Sequence, residues 1–529
     1  MKFPHELVIE VEISFLFALY DAIFLHKKKM SSSKPQEEDH DHVIRKVESK
    51  QLAKHLYSRH GNDFFAYLNL LFTTPFMFLV GKSLSKPSLI TWIVGAPASE
   101  LGHLFLLLQV LNLYRVFSYN PRVFKTWFGK LALLLNGWSG WRVFKHILGA
   151  LHTRQEFSKV LLEQKIQPRA GNSLGTFSGL ASLIPLFLVS RRGKQIKIDR
   201  NLRYADLEKV DPYLLDLWKR TPTKLRNIHQ LILRGRVSNW LSLDVFRLGD
   251  LPANARAPVY VHIHGGGWAL GDKFYAAHAL LNRIASRGIV CCSVNYRLSP
   301  EVAWPEHILD CKRALIYIKK NCAMWGGDPN LVFVGGESAG GHLSAFLGVT
   351  PNHPEFQAPE DKDFDTSVAG SLPIYGVFDF TDSYGYHKVN EARILGLPVG
   401  IRGFASRVVL QVPFNQENIQ VFNSASPTYR LKELLKSSNP PKISPFFIPH
   451  GTMDTLAAYE DSKAFYDILQ QYRSKTGTWK QGENDIFATV TGGLHAFGYF
   501  PSPRSHAMGD AFSDFIFHHS QRIREEIKI

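Results

Sequence analysis

The sequence predicts an α/β fold: a mostly parallel sheet covered by helices on both faces, preceded by an apolar helical region. Two observations carry the first part. From about residue 200, short apolar runs alternate with helical stretches, the pattern of a layered α/β sheet. Those runs have few polar interruptions, as strands buried on both faces require. A third observation sets the front of the chain apart. Before residue 200 the runs lengthen, lose their charges and are flanked by Lys and Arg.

At 529 residues there is room for one large catalytic-sized domain and a further region. Hydrophobic residues make up 45% and charged residues 20%, an ordinary globular composition. The net charge of +16 is uneven. Residues 1–200 hold 27 Lys/Arg against 14 Asp/Glu, which leaves little excess for the rest. The basic residues flank apolar runs and form no groove-reading helix, so a membrane surface is the expected acidic partner and nucleic acid is not. The four cysteines, Cys291, Cys292, Cys311 and Cys322, have no zinc spacing and read as buried apolar residues. With no N-x-S/T sequon, they favour a reducing, cytosol-facing compartment.

The organisation expected is residues 1–63 as an N-terminal helix and polar linker, 64–195 as an apolar, membrane-associated helical region, and 196–529 as the α/β domain. Ile13 to Tyr20 is apolar but crowded by acids and too short to span; residues 30–50 are a polar linker. Phe64 to Gly81 is uncharged over 18 residues, near the minimum for a transmembrane helix, with Pro75 inside. Leu89 to Tyr114 is interrupted by Glu100 and His103; a carboxylate there must be paired or face protein. Leu131 to Trp141 ends in tryptophans, as at a membrane interface. Ser173 to Ser190 is again uncharged, and the following Arg191, Arg192, Lys194 and Lys197 place the α/β domain on the cytosolic side. The competing reading of these runs is a helical cap on a soluble enzyme.

Expected strands are Leu241–Arg247, Pro258–His264, Val290–Tyr296, Leu331–Gly335, Gly370–Val377, Pro445–His450 and Ile486–Val490. Ala276–Arg287, His307–Lys320 and Tyr459–Tyr472 are the clearest helices between them.

Two motifs carry chemistry. Gly336-Glu337-Ser338-Ala339-Gly340 is G-x-S-x-G between an apolar strand and a small-residue helix start, the context of a nucleophile elbow that holds Ser338 exposed on a sharp turn. His264-Gly265-Gly266-Gly267-Trp268 comes directly after the apolar run Val259–Ile263. Three bare glycines leave backbone N–H groups free to face a cleft, which acyl transfer needs for its oxyanion. No P-loop or dinucleotide spacing competes, and no metal motif or cofactor motif is present.

A serine hydroxyl needs a base, and the base needs a carboxylate. Asp454 and His495 each follow a strand, in the chain order serine, acid, histidine. His450 is the main rival base, and Asp379 and Asp382 are alternative acids at the start of a lid insertion, about 379–440. His342 reads as a packing residue and Glu337 as structural with at most a tuning role.

The chain resembles the hormone-sensitive-lipase-like branch of α/β-hydrolases, which includes carboxylesterases and arylacetamide deacetylase. The matching pieces are His264–Trp268, Asn295–Pro300, Gly326–Pro329, Gly336–Gly341, His-Gly-x-x-Asp at 450–454 and Leu494–Phe497. The resemblance covers about residues 200–520. It implies Ser338 as nucleophile, Asp454 as acid, His495 as base, and N–H groups of Gly266, Gly267 and Ala339 as oxyanion donors. It implies a structural acid at Asp310. The apolar front is similar to that of actinobacterial membrane-associated lipase/esterases. Thr455-Leu456-Ala457-Ala458 departs from the family's usual Leu-Val-Pro after the acid. The expected activity is hydrolysis of lipid-derived or acyl esters at a membrane, without cofactor. Amidase or formamidase action and prenylcysteine methyl ester cleavage share the triad. A non-catalytic receptor is disfavoured by His495.

Overall fold

The computed structural model describes residues 59–527 except 86–88, 169–195, 221–239, 275–276, 388–392, 395–396, 399 and 478–484. The expected short apolar segment at 13–20, the linker at 30–50 and the run at 173–190 lie outside the described residues. Two compact units divide at Ala66, and only the start of the first helix belongs to the described part of the front unit. The second unit, Tyr67–Ile529, holds the sheet and the helices that cover it.

The sheet is built from β1 (Ile196–Arg203), β2 (Ser242–Leu248), β3 (Ala257–Ile263), β4 (Val290–Val294), β5 (Gly327–Glu337) and β6 (Gly370–Ile374). Their order is β1-β2-β4-β3-β5-β6. β1, β2 and β4 pair antiparallel, and β4, β3, β5 and β6 pair parallel. β7 (Phe447–Gly451) and β8 (Ile486–Val490) form a parallel pair. Ser371 N–H to Pro445 C=O at 2.9 Å and Tyr375 N–H to Pro449 C=O at 3.0 Å carry this pair alongside β6. Every residue of β3, β4 and β6 is buried, which is why these strands read as unbroken apolar runs.

Helices cover both faces: α5 (His278–Ala285), α6 (Glu306–Asn321), α7 (Ala339–Val349), α8 (Pro427–Lys436), α9 (Tyr459–Thr476) and α10 (Pro503–Ile527), counted after the four helices of the front region. One apolar core lies on the α6/α7 face, around Val259, Val332, Leu343 and Trp304. Another lies on the α5/α10 face, around Tyr260, Phe333, Phe447 and Phe512. At the rim, Arg297 sits buried between Asp310, which takes Nε at 2.8 Å and Nη2 at 2.9 Å, and Asp211 at 3.0 Å. The paired, bidentate geometry is what makes this buried cation tolerable. Asp310 therefore has the structural place that the resemblance implies.

The front region consists of α1 (Arg59–Ser85), α2 (Leu89–Glu100), α3 (Gly102–Tyr119) and α4 (Trp127–Glu163). The run expected at 89–114 breaks at Leu101, between α2 and α3. The run at 131–141 is the first part of a helix of 37 residues that continues through Arg142, Lys145 and His146. α4 packs against α10 and the β7–β8 pair: Phe157 meets Phe447 of β7 edge-on at 6.0 Å between centroids, and Arg154 binds Asp510 of α10 at 2.7 Å.

The first half of α4 has its polarity inverted. Toward its neighbours α4 buries Ala132, Asn136, Ser139, His146 and Thr153, while Trp127, Leu134 and Trp141 face outward. Hydrogen bonds between helices link several of the buried polar groups. Gln109 donates to the Asn136 carbonyl at 2.7 Å, Asn136 donates to Thr74 at 3.2 Å, and Ser139 donates to the Met77 carbonyl at 2.5 Å. Among the described residues no single helix is long and apolar enough to cross a membrane; one bent pair, Val94–Glu100 with Gly102–Ser118, passes by length and composition.

Glu100, the carboxylate that interrupts the second run, is buried against the α/β domain. Its Oε1 accepts from Arg504 at 2.8 Å and from Ser99 at 3.0 Å, and its Oε2 accepts from Ser502 at 2.7 Å. The pairing required by its position is thus met by a residue at the start of α10.

Candidate active site

The site forms where β5, β7 and β8 end and the β3–α5 loop folds over. β5 runs into Ser338, whose φ of 55° and ψ of −113° lie outside the ordinary regions. Two bonds hold this turn: Ser338 N–H to the Ile374 carbonyl at 3.0 Å and His342 N–H to the Ser338 carbonyl at 2.9 Å. The turn also needs bare neighbours. A Cβ on Gly336 would stand 2.3 Å from the Ile263 carbonyl oxygen, and one on Gly340 only 1.9 Å from it. The two glycines of G-x-S-x-G are required because β3 passes directly beneath the elbow.

His495 and Asp454 converge on this serine. His495 Nε2 lies 2.9 Å from Ser338 Oγ, and Nδ1 lies 2.6 Å from Asp454 Oδ2. An ionised carboxylate only accepts, so Nδ1 carries the proton and Nε2 is free to take one from the hydroxyl. Asp454 Oδ1 accepts from Leu456 N–H at 2.9 Å and Ala457 N–H at 3.0 Å, so the departure from Leu-Val-Pro leaves the acid well held. Burial alone would push the Asp454 carboxyl up. His495 on one side and His450 on the other overcome this and hold it well below the ordinary carboxylate range.

His450 does not reach the serine. Its Nε2 stands 3.2 Å from Asp454 Oδ2 and 3.1 Å from the Ala457 carbonyl, and Nδ1 accepts from Ser462 Oγ. It braces the acid from behind. The four-residue spacing of His450 and Asp454 is the sequence signal for that contact. Asp379 is used up in its own turn, accepting from Thr381 and Ser383 N–H at 2.8 and 2.9 Å.

The glycine loop lies opposite. Gly266 and Gly267 have φ of 117° and 60°, which side chains disfavour. A Cβ on Gly265 would meet the Glu337 carbonyl oxygen at 2.7 Å, so the loop and the elbow touch. His264 stacks on Tyr296 at 4.6 Å and fixes the strand end. Trp268 is buried, and its Nε1 donates to His342 Nδ1 at 3.1 Å; His342 Nε2 donates to the Ala425 carbonyl at 2.7 Å. Burial lowers the His342 pKa to about 4, so it is a neutral packing residue linking the loop, the elbow helix and the lid. Ala339 opens α7, and its N–H has no intrahelical acceptor. The donors expected at Gly266, Gly267 and Ala339 lie on two segments that touch, the glycine loop and the start of α7.

Glu337 lies in the core beside Tyr375 and Met508, behind the elbow. Burial raises its pKa to about 8, against a smaller opposing pull from the Tyr375 hydroxyl. Within the insertion at 379–440, Phe380, Val409, Leu410 and Phe422 are buried in the core. Phe404 is the one beside the glycine loop, 3.3 Å from where a Gly267 Cβ would stand.

The support of His495 is not visible in the sequence. Leu494 is buried in a cluster with Met77, Val80, Leu84, Ala98 and Val143 of the front helices, against which Met453 also packs. The Thr491 N–H faces the Glu156 carboxylate at 3.3 Å. No local signal links residues so far apart in the chain.

The strand order, the elbow after β5 and the acid and histidine at the ends of β7 and β8 define an α/β-hydrolase fold with Ser-His-Asp geometry. Residues 248–469 match the family model described as BD-FAE. Among curated proteins the chain is similar to the probable carboxylic ester hydrolase LipM of Mycobacterium tuberculosis, 35% identical over 275 residues, 52% of this chain and 57% of that one. It is also similar to the probable isoprenylcysteine alpha-carbonyl methylesterase ICMEL1 of Oryza sativa, 30% identical over 218 residues, 41% of this chain and 48% of that one. A truncated carbohydrate esterase from gut microbiota aligns in structure with 21% identity and a TM-score of 0.42, over 54% of this chain and 92% of that chain. The chain spans about half to three fifths of the length of these curated relatives.

Proposed function

We propose that this protein is a serine hydrolase of carboxylic esters. One observation carries the reading: Ser338 Oγ, His495 and Asp454 form an unbroken relay of 2.9 and 2.6 Å beside the glycine loop. His495 Nε2 takes the Ser338 proton as Oγ attacks the ester carbonyl. The N–H groups of Gly266, Gly267 and Ala339 receive the oxyanion. The tetrahedral adduct collapses, the C–O bond breaks, and the alcohol leaves with the proton from His495. Water then enters, gives its proton to His495 and releases the acid, regenerating Ser338. Asp454 stays ionised throughout and steadies the imidazolium.

The substrate reading is an apolar or lipid-derived ester, supported by Phe404 at the glycine loop and by relatives named for ester and methylester hydrolysis. Prenylcysteine methyl esters are the second reading, which the similarity to the rice methylesterase favours. The same relay serves amides; paired p-nitrophenyl ester and p-nitroanilide substrates separate the two. The proposed setting is an endomembrane with the α/β domain facing the cytosol, supported by the basic excess of residues 1–200 and the Arg191–Lys197 flank.

The test is fluorophosphonate labelling of the wild type and Ser338→Ala in membrane and soluble fractions. Wild type is expected to label in the membrane fraction and the variant not at all. A folded wild type that resists labelling rules out the hydrolase; labelling only in the soluble fraction rules out the membrane setting.

A further inference from the structure

The exposed apolar faces of the front helices point to a specific partner. On α4, Trp127, Leu134 and Trp141 are 76%, 71% and 55% exposed. On α3, Leu108 and Tyr114 are 64% and 68% exposed, and on α1 Phe72 is 69% exposed. A soluble helix shows the opposite arrangement, with its apolar stripe inward. Here, beside the apolar cluster around Leu494, the contact of α4 with α1 and α3 is made by Ala132, Asn136 and Ser139 and linked by hydrogen bonds between helices, which is how helices associate where the surroundings are as apolar as their side chains. An exposed apolar area of this extent marks an interaction surface.

Charge narrows the partner. Between Tyr67 and Arg154 there are nine Lys or Arg and one acid, Glu100, which is buried against Arg504. The charges this region offers outward are cations, including Lys82, Arg122, Lys125, Lys130 and Lys145. Lys145 lies 5.3 Å over the Trp141 ring, the Trp-plus-cation pairing suited to a lipid headgroup layer. A second copy of the chain would bring the same cations against these and be repelled; anionic headgroups complement them.

We infer that the outward faces of α1, α3 and α4 insert into one leaflet of an anionic membrane. α2 and α3 bend by 97° at Leu101, beside the Glu100–Arg504 pair, so the two do not cross the lipid as one straight rod. Insertion through this surface deepens the proposed membrane setting, and rests on it. It also has a consequence for the substrate. The inner faces of the same helices hold Leu494 and Met453, the neighbours of His495 and Asp454. The site therefore stands directly on the inserted layer, and its substrate is an ester resident in that leaflet, which reaches Ser338 by lateral diffusion.

The four native cysteines are buried, so a thiol-reactive, environment-sensitive fluorophore can be directed to Leu134→Cys in the full chain. Leu162→Cys, exposed at the far end of α4 beside Lys159 and Glu163, is the control. The probe is vesicles of phosphatidylcholine with or without phosphatidylserine. Expected is a blue shift at position 134 with quenching by brominated lipid, larger with phosphatidylserine, and a water-like spectrum at position 162. Both variants keep wild-type turnover of a soluble p-nitrophenyl ester. Vesicle-bound chain with a water-like label at 134 overturns this surface and leaves the membrane setting standing. A blue shift that needs no vesicles and grows with protein concentration overturns it in favour of a second copy. Failure of the wild type to float with any vesicle overturns the membrane setting and this surface together. A wild type that floats with the vesicles and turns over no ester counts against the hydrolase reading alone.

Discussion

Glu337→Gln is expected to stabilise this protein at neutral pH. The side chain is buried next to the elbow, and its nearest surroundings include the Tyr375 phenol, the Gly498 backbone and Met508. Burial raises its pKa from an ordinary 4.5 to about 8. The folded state thus binds a proton that the unfolded state releases above pH 4.5. The sign follows: the carboxyl carries no penalty below 4.5, and its contribution to stability is lost progressively as pH rises from 4.5 to 8. Each pH unit in that window costs about 1.4 kcal/mol, so the full penalty approaches about 5 kcal/mol. Glutamine has the shape of the protonated acid and no proton to lose. Chemical denaturation of the full wild-type and variant chains in one detergent, from pH 4.5 to 8.5, measures the difference. Equal stability is expected near pH 4.5, with the variant gaining steadily above it. The variant retains ester turnover, because Glu337 lies in the core and takes no part in the relay. Parallel pH profiles, or a variant less stable at every pH, would refute the reasoning, since they require a carboxylate already ionised and partnered in the folded state.

Asp454→Asn is expected to fold and to lose about 10⁴-fold in kcat on a soluble ester, because an amide no longer fixes the His495 tautomer; turnover within tenfold of wild type would remove Asp454 from the relay. Gly340→Ala is expected to give insoluble protein, since the new methyl stands 1.9 Å from the Ile263 carbonyl oxygen and both are backbone-fixed; soluble expression at wild-type yield would contradict the elbow geometry. Glu100→Gln leaves Arg504 buried without its counter-charge and is expected to destabilise by roughly 3–5 kcal/mol, read as a lowered thermal midpoint. An unchanged midpoint would mean that the front helices are not clamped there.

The parts of the site legible in the sequence are those set by local backbone demands. Gly336 and Gly340 announce the elbow because a passing strand forbids any Cβ there, and that constraint survives as a motif. Asp454 and His495 are readable because each follows an apolar strand in the order the chemistry needs. Strand β1 escapes the pattern, because Ile196–Arg203 alternates with charges and pairs on only one side, as a guarded edge strand does. The true length of α4 is hidden too. Its apolar run stops at Trp141, where the helix passes from the outward-facing layer to the surface of α10 and takes on Arg142, Lys145, His146 and Arg154. The aromatics of the 379–440 insertion are legible as apolar but not as to direction; Phe380 packs inward on Trp268, while Phe404 lies beside Gly267.

The front helices and the catalytic histidine are one mechanical problem. His495 must hold two hydrogen bonds of 2.6 and 2.9 Å at once, from a loop rather than a strand. The loop is fixed at both ends by different cores. Phe497 packs on Tyr375 at 5.0 Å within the α5/α10 core, while Leu494 plugs into the cluster of the front helices. The Tyr375 ring also lies 4.9 Å from the imidazole. Below them the Glu100–Arg504 pair ties the end of α2 to the start of α10. Removing the front helices would open the Leu494 side and leave Arg504 buried without its partner. The loop would then be held by Phe497, Tyr375 and its bonds to the Asp454 loop, such as Met453 N–H to the Gly493 carbonyl at 3.0 Å. The apolar front of this chain is therefore part of the scaffold that positions the base, and a surface on its outer face acts on the same helices that hold the base on their inner face.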